Sequence, residues 1–348
     1  VTGARGWQTG RVALNGPDRI IHADNLDVLP RLPDGAFTLV YLDPPFNTGR
    51  AQTRRSSRHV RVDEPDASGE ADACGEADAS GEASTRSMPA APGVRAVPER
   101  PLTVTGFGGK RYERIRGDLM RYDDRFDDYW GFLEPRLAEA WRLLADDGTL
   151  YLHLDYREAH YAKVLLDALF GRECFLNELI WAYDYGGKSR SRWPAKHDTI
   201  LVYVKHPGRY WFDSTAVDRE PYMAPGLVTP EKAELGKLPT DVWWHTIVSP
   251  TGREKTGYPT QKPEGVLRRI VQASTRPGDW VLDFFAGSGT TGAVAAALER
   301  RFVLVDQNPE AIDVMRARFA GREGVSFETA QDIQQTHDPA AAPGEETA

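Results

Sequence analysis

Cysteine is almost missing from the 348 residues: Cys74 and Cys174 stand a hundred positions apart, with no companions at metal-ligand spacing. That excludes a disulfide framework and a zinc site, and no metal is expected. A reducing, cytoplasmic setting is the expectation that follows. Long apolar runs are missing too. The longest, such as Thr199-Ile200-Leu201-Val202-Tyr203-Val204, are strand-sized, far short of the roughly 20 residues a membrane-spanning helix needs. No signal-peptide pattern is read at the start of the chain, and no membrane association is expected.

Basic charge is in deficit, with a formal net charge of -8. The deficit is local. Residues 62 to 83 carry eight carboxylates (Asp63, Glu64, Asp66, Glu70, Asp72, Glu76, Asp78 and Glu82) and no Lys or Arg, so the remainder of the chain is formally neutral. Within this stretch Gly69-Glu70-Ala71-Asp72-Ala73 is followed by Gly75-Glu76-Ala77-Asp78-Ala79, a repeat with almost nothing to bury. Residues 51–100 are therefore expected to be a disordered acidic insertion, and 331–348 a disordered tail.

Elsewhere strand and helix patterns alternate. Phe37 to Leu42 is a β-rich run that stops at Asp43 and two prolines, which cannot continue a central strand. Apolar residues at helical spacing mark 128–145, with Asp147-Gly148 as the expected stop. Strands are predicted at Thr149 to Leu154, Thr199 to Val204, Trp280 to Asp283 and Phe302 to Val305. Helices are predicted at Ala159 to Phe170, Thr291 to Arg300 and Pro309 to Phe319. Such alternation implies an α/β fold, a mostly parallel sheet covered on both faces.

The strand ending at Asp283 runs into Phe284-Phe285-Ala286-Gly287-Ser288-Gly289-Thr290-Thr291. Glycines at a strand-to-helix turn let a ligand approach the backbone at a helix N-terminus. No Gly-Lys-Ser/Thr closes the turn, so a nucleoside triphosphate is not the expected guest. Asp306 follows at the end of the next strand, roughly 20 residues on, where dinucleotide folds place a carboxylate for ribose hydroxyls. That spacing suits any adenosine-containing cofactor.

Asp43-Pro44-Pro45-Phe46 sits just past a strand's C-terminal end, where open α/β sheets build their crevices. The Asp43 carboxylate and the Pro44 carbonyl are two acceptors, and the prolines stiffen the turn so that both converge on one amino nitrogen. Phe46 is placed to stack on a flat ring. A Pro-rich turn after an aspartate is also commonly just a turn.

The tetrapeptide resembles the catalytic motif of DNA amino methyltransferases, and Leu282 to Thr291 resembles their cofactor loop. The catalytic motif precedes the cofactor loop, so the chain is similar to the circularly permuted β class. His22-Ala23-Asp24-Asn25-Leu26-Asp27-Val28-Leu29 and Tyr258-Pro259-Thr260-Gln261-Lys262-Pro263 match the same class. The resemblance covers roughly 15–50 and 101–320. It implies a Rossmann-like, doubly wound fold of the class I S-adenosylmethionine-dependent methyltransferases, with a small target-recognition insertion. The catalytic part would be 1–50 and 101–209, the target-recognition region 210–245, and the cofactor-binding part 246–330.

By the same resemblance, Asp24 would hold the adenine amino group of S-adenosylmethionine and Asp306 the ribose, with Asn25 and Asn308 among the cofactor-binding residues. Asp283 with Phe285, Ala286, Gly287, Ser288, Gly289 and Thr290 would hold the methionine moiety, supported by Lys262. Two departures stand out: Phe284 where proline is common, and Phe46 where tyrosine is commoner, which keeps stacking and loses a hydroxyl.

The expected reaction is methyl transfer to the exocyclic amino group of a base flipped from double-stranded DNA, adenine N6 first because Asp43 opens the tetrapeptide. Cytosine N4 is the close alternative, RNA or protein amino methylation the more distant one, and a catalytically dead DNA-binding defence subunit a third. Lys188, Arg190, Arg192, Trp193 and Lys196 lie in a basic stretch with one acidic residue, Asp198, between 186 and 209. It reads as the phosphate-contacting surface. A nucleoid-associated setting, a partner restriction endonuclease or defence-system subunit, and a homodimer complete the expectations. His153 and Asp155 resemble an acid-base pair but share one face of a strand beside an apolar stripe, and are read as structural.

Overall fold

The computed structural model describes residues 14–46, 52–61, 102–105, 111–122, 128–249 and 251–335. Among the described residues there are twelve strands: β1 (Asp18–His22), β2 (Phe37–Leu42), β3 (Gln52–Arg61), β4 (Leu102–Thr105), β5 (Arg111–Tyr122), β6 (Leu144–Leu154), β7 (Phe175–Ala182), β8 (His197–Val204), β9 (Val242–Trp244), β10 (Trp280–Asp283), β11 (Arg301–Asp306) and β12 (Val325–Thr329). The helices are α1 (Asn25–Val28), α2 (Tyr129–Leu143), α3 (Ala159–Phe170), α4 (Pro230–Leu235), α5 (Glu264–Ser274), α6 (Thr290–Ala297), α7 (Pro309–Arg318) and α8 (Ala330–Gln335).

Nine strands form one sheet in the order β12-β1-β11-β10-β2-β6-β8-β7-β9. The six from β12 to β6 are all parallel, whereas β8 is antiparallel to both its neighbours. Alternation along each strand sends side chains to two separate cores. Ile21, Val40, Leu152 and Leu282 face the side covered by Leu133 and Leu137 of α2 and Leu166 of α3. Ile20, Leu39, Tyr151 and Leu304 face the side covered by Ile270 of α5, Ala295 of α6 and Met315 of α7. Helices thus cover both faces, the doubly wound arrangement expected.

Several boundaries differ from expectation. Helix α2 stops at Leu143 and strand β6 already begins at Leu144, so Asp147-Gly148 lies within a strand rather than capping a helix. Helix α6 stops at Ala297, three residues early, and Glu299 beyond it takes a left-handed φ of 63°. Of the stretch expected to be disordered, Gln52–Arg61 is a strand, paired in a three-stranded sheet of order β3-β5-β4. Most of this sheet falls in a second compact unit, Arg54–Leu119. The acidic run 62–83 lies outside the described residues. At the other end α8 continues to Gln335 with Ile333 fully buried, so the expected tail from 331 opens on packed helix; 336–348 are outside the described residues.

Strands β1, β11, β10 and β2 are consecutive neighbours and parallel, with His22 level with Asp306. Their carboxyl ends therefore share one rim, about 15 Å long for four strands spaced about 4.8 Å apart. Asp24, Asp306, Asp283 and Asp43 are the acidic residues at those ends. The chain leaves β10 through α6 toward β11 on one side and leaves β2 toward β6 on the other, which makes the rim between β10 and β2 the topological switch point where α/β sheets bind ligands.

Candidate functional site

A cavity of about 350 Å³ opens at that rim, a volume in the range of small-molecule sites. Asp24, Asn25, Asp43, Pro45 and Lys262 line it, as do Asp283, Phe285, Ala286, Gly287 and Ser288, and then Thr290, Asp306 and Asn308. Three expected site residues do not. Pro44 and Phe46 flank the opening turn, and Gly289, the N-cap of α6 at φ 71°, turns instead toward Met315, which an added Cβ would meet at 2.7 Å.

At the first strand end Asp24 caps α1, accepting from the Leu26 amide at 2.9 Å, and pairs with Arg136 Nη2 at 3.1 Å. Arg136 in turn lies 4.0 Å above the Phe132 ring. Neither α2 residue was read as functional; only their helical spacing was visible in sequence. Next to Asp24, the Asn25 amide donates to the Phe284 carbonyl at 3.1 Å, and its Oδ1 is buried with no partner among the described residues.

In the centre, the Asp283 carboxylate accepts from the Phe285 amide at 3.0 Å and the Thr291 hydroxyl at 2.6 Å. Burial dominates these bonds and pushes its pKa up to about 7. Asp306 accepts from the amides of Gly287 at 2.7 Å and Asn308 at 2.8 Å, and burial raises it as well. One carboxylate thus ties the glycine turn to the next strand. Gly287 takes φ 50°, and a Cβ there would press on the Tyr258 ring at 3.1 Å. Tyr258 is itself buried, its phenol raised by burial and by Asp306. Asn308 caps α7, accepting from Glu310 N at 3.0 Å.

At the last strand end Lys262 donates to Asp43 Oδ2, and its ammonium lies 4.9 Å above the Phe46 ring. Asp43 Oδ1 is buried and unpartnered among the described residues. An unsatisfied buried acceptor costs about 1–3 kcal/mol, and its persistence beside a cavity marks it as waiting for a donor from outside.

Behind this turn stands a polar chain that sequence reasoning missed. His153, fully buried, bonds Tyr41 Oη through Nδ1 at 2.7 Å and Asp198 Oδ2 through Nε2 at 3.2 Å. Asp198, held below the usual carboxylate range by His153 despite its burial, can only accept. Nε2–H therefore donates to it, and the Tyr41–Nδ1 bond continues the chain on the other side of the ring. The Tyr183 hydroxyl donates to the other oxygen at 2.9 Å. Asp155 is not the partner of His153; it accepts from the backbone and side chain of Arg157. Phe46 packs on His153 with ring centroids 5.9 Å apart, so the network braces both Tyr41 and Phe46.

The structure does not bring the basic residues into the cavity. Lys188, Arg190, Arg192 and Trp193 are exposed on the loop between β7 and β8, Trp193 at 95%, while Lys196 is half-buried at its base. The base is closed by Tyr183 N donating to the Lys196 carbonyl at 2.8 Å and Lys196 Nζ to the Gly186 carbonyl at 3.3 Å. Tyr183 and Asp198 thus connect the loop's base to the network under Phe46. The segment 210–245, expected to be the target-recognition region, adds its end, β9, to the sheet edge beside β7.

A glycine turn with paired carboxylates on adjacent parallel strands, next to an Asp-Pro-Pro acceptor turn on an earlier strand, defines a Rossmann-like protein of permuted order. Comparison with known proteins agrees: the family model described as DNA methylase, covering N6 and N4 enzymes, matches residues 37–317. The chain belongs to this DNA methylase family. It is 33% identical over 196 residues to the type II methyltransferase M.HpaI of Haemophilus parainfluenzae, 56% of this chain and 60% of that one. It is 33% identical over 198 residues to the DNA adenine methyltransferase YhdJ of Escherichia coli strain K12, 55% of this chain and 65% of that one. The chain thus matches less than two thirds of the length of either relative. The fold of the PvuII DNA methyltransferase (cytosine-N4-specific) superposes with a TM-score of 0.54 at 14% identity, covering 92% of both chains.

Proposed function

We propose that the chain is an S-adenosylmethionine-dependent DNA methyltransferase that modifies adenine N6 in a flipped-out nucleotide. The observation that carries this reading is Asp43 Oδ1, a buried acceptor without a donor among the described residues, at the mouth of a cavity whose centre holds two further buried carboxylates. An exocyclic amine supplies the donor that Oδ1 lacks. Its second hydrogen would go to the Pro44 carbonyl, which directs the nitrogen lone pair into the cavity.

The residues present fit the cofactor. Asp283 and Asp306 are buried with no salt-bridge partner among the described residues, an arrangement that favours a cationic guest. Asn25 Oδ1 is a free acceptor for an adenine amine, and Phe132 and Phe285, 6.0 Å apart, offer apolar walls beside it. Asp24 and Asn25 would hold the adenine, and Asp306 and Asn308 the ribose. Asp283 and the turn through Phe285, Ala286, Gly287, Ser288, Gly289 and Thr290 would hold the methionine end. When bound, S-adenosylmethionine supplies the electrophilic methyl group. The Tyr258 and Phe285 rings line the same cavity.

Adenine is supported over cytosine by Asp43 as the first motif residue and by the adenine relative YhdJ. Double-stranded DNA is the proposed partner, met by Lys188, Arg190, Arg192, Trp193 and Lys196. A cytoplasmic role beside a restriction endonuclease accords with the type II relative M.HpaI. Among the described residues no helix is long and apolar enough to cross a membrane.

The test is transfer of labelled methyl from S-adenosylmethionine to duplex DNA, RNA and bulk protein offered in parallel. Label in DNA alone is expected; label in RNA or protein but not DNA contradicts the proposal.

A further inference from the structure

Asp43 and Lys262 are 219 positions apart, yet the ammonium meets one carboxylate oxygen and leaves the other bare. Both side chains are largely withdrawn from water, Lys262 at 10% and Asp43 at 15% exposure, so removing one partner costs more than at a surface bridge. The loop that presents Lys262 is closed on itself. Gln261 accepts from Thr256 N at 2.8 Å and donates to the Glu254 carbonyl at 2.6 Å, and Pro263 starts α5 immediately after. Thr290 at the head of α6 donates to the Lys262 carbonyl at 3.3 Å. The backbone of Lys262 is thus anchored on the cofactor side of the cavity, while its ammonium reaches across to the acceptor turn and over the Phe46 ring.

A carboxylate with two free oxygens swivels about Cβ–Cγ and can take both hydrogens of one amine. That geometry points the nitrogen lone pair wherever the carboxylate happens to face. With Oδ2 held by a donor-only group, the carboxylate's rotation about Cβ–Cγ is fixed and Oδ1 is the oxygen presented to the amine, so the second hydrogen falls to the turn's own carbonyl.

We propose that Lys262 is a positioning residue for the acceptor turn: by holding Asp43 Oδ2 it fixes the rotation of the carboxylate, presents Oδ1 to the target amine and so fixes the direction of that amine's lone pair. The proposal rests on the amino-methyltransferase reading above. It departs from the role expected from family likeness, in which Lys262 serves the methionine end of the cofactor. The two roles predict different losses, because a misdirected amine slows transfer while leaving the cofactor's own contacts in place.

The experiment compares Lys262→Met, Lys262→Arg, Asp43→Asn and the Asp43→Asn/Lys262→Met double variant in the full chain. Calorimetry reads S-adenosylmethionine Kd, single-turnover transfer reads the chemical step, and thermal melting reads folding. Lys262→Met is expected to slow single-turnover transfer about 100-fold with cofactor Kd unchanged, and Lys262→Arg to recover most of that rate. In melting, the double variant is expected to be more stable than Lys262→Met, because removing the charge on Asp43 relieves the carboxylate left bare.

A cofactor Kd that weakens as much as the rate falls would overturn the proposal, as would melting losses that simply add. Were the wild type to transfer no methyl to DNA, the enzymatic reading would fail on its own, and the melting and calorimetric arms would still decide whether Lys262 serves Asp43 or the cofactor.

Discussion

At the scale of single residues, three of the rim's four aspartates divide by what they lack. Asp43 lacks a donor on one oxygen, whereas Asp283 and Asp306 have backbone donors and lack a cation among the described residues. Asp43→Ala is therefore expected to abolish methyl transfer with cofactor Kd retained. Asp306→Ala releases the Gly287 and Asn308 amides and is expected to weaken cofactor binding first. Calorimetry beside a transfer assay checks both, and equal loss of cofactor binding in the two variants contradicts the division. Asp283 adds a pH dependence. Its carboxyl is raised from an ordinary 3.8 to about 7 in the fold, so the folded protein keeps a proton there that the unfolded chain has released. The stability this confers is full below about pH 4 and is lost as pH climbs through about 7. A cationic guest needs the ionised form, so cofactor binding should tighten from pH 6 to 8 while the melting temperature of the cofactor-free protein falls. Cofactor affinity that is flat across that window contradicts the assignment.

At the scale of elements, what matters is how closely helices and loops meet the sheet. Gly292 in α6 faces β11, and a Cβ there would meet Leu304 Cδ1 at 2.6 Å and Phe302 Cδ2 at 3.2 Å. Gly292→Ala gains helix propensity but overpacks two fully buried side chains, for an expected net loss of about 1–2 kcal/mol in urea denaturation. The β7–β8 loop is an element of a different kind, pinned at Tyr183 and Lys196 and open at its tip. Replacing Lys188, Arg190 and Arg192 with Ala should reduce the slope of log affinity for DNA against log salt by about 0.9 for each phosphate no longer neutralised. A slope that does not move removes the loop from the interface. Elements with short apolar runs bounded by Asp, Gly or Pro, such as β2, β10 and β11, were legible in the sequence. Strands β1, β7, β9 and β12 and helix α5 were not singled out. The Asp198 and Lys262 contacts were hidden for another reason: their partners lie 45 and 219 positions away, and only the folded sheet order brings them together.

At the scale of the whole molecule, the order of motifs along the chain proved as informative as the motifs. Because the acceptor turn ends β2 and the glycine turn ends β10, the parallel pairing of Val40 with Leu282 sets them side by side, and the permuted arrangement follows from the sheet rather than from chain order. The net charge belongs to the same scale. With eight carboxylates concentrated in 62–83, replacing them by the corresponding amides should speed association with DNA at low salt, an effect that fades as ionic strength rises. Stopped-flow association at two salt concentrations measures it, and unchanged rates would show that the segment stays out of the approach path. The central claim, that the rim of this sheet methylates an exocyclic amine of DNA through Asp43, is tested most directly by mass spectrometry. The nucleosides come from DNA treated with the wild type and with Asp43→Ala. The account predicts N6-methyladenine from the wild type and none from the variant; N4-methylcytosine would overturn the choice of base, and N6-methyladenine from Asp43→Ala would overturn the site.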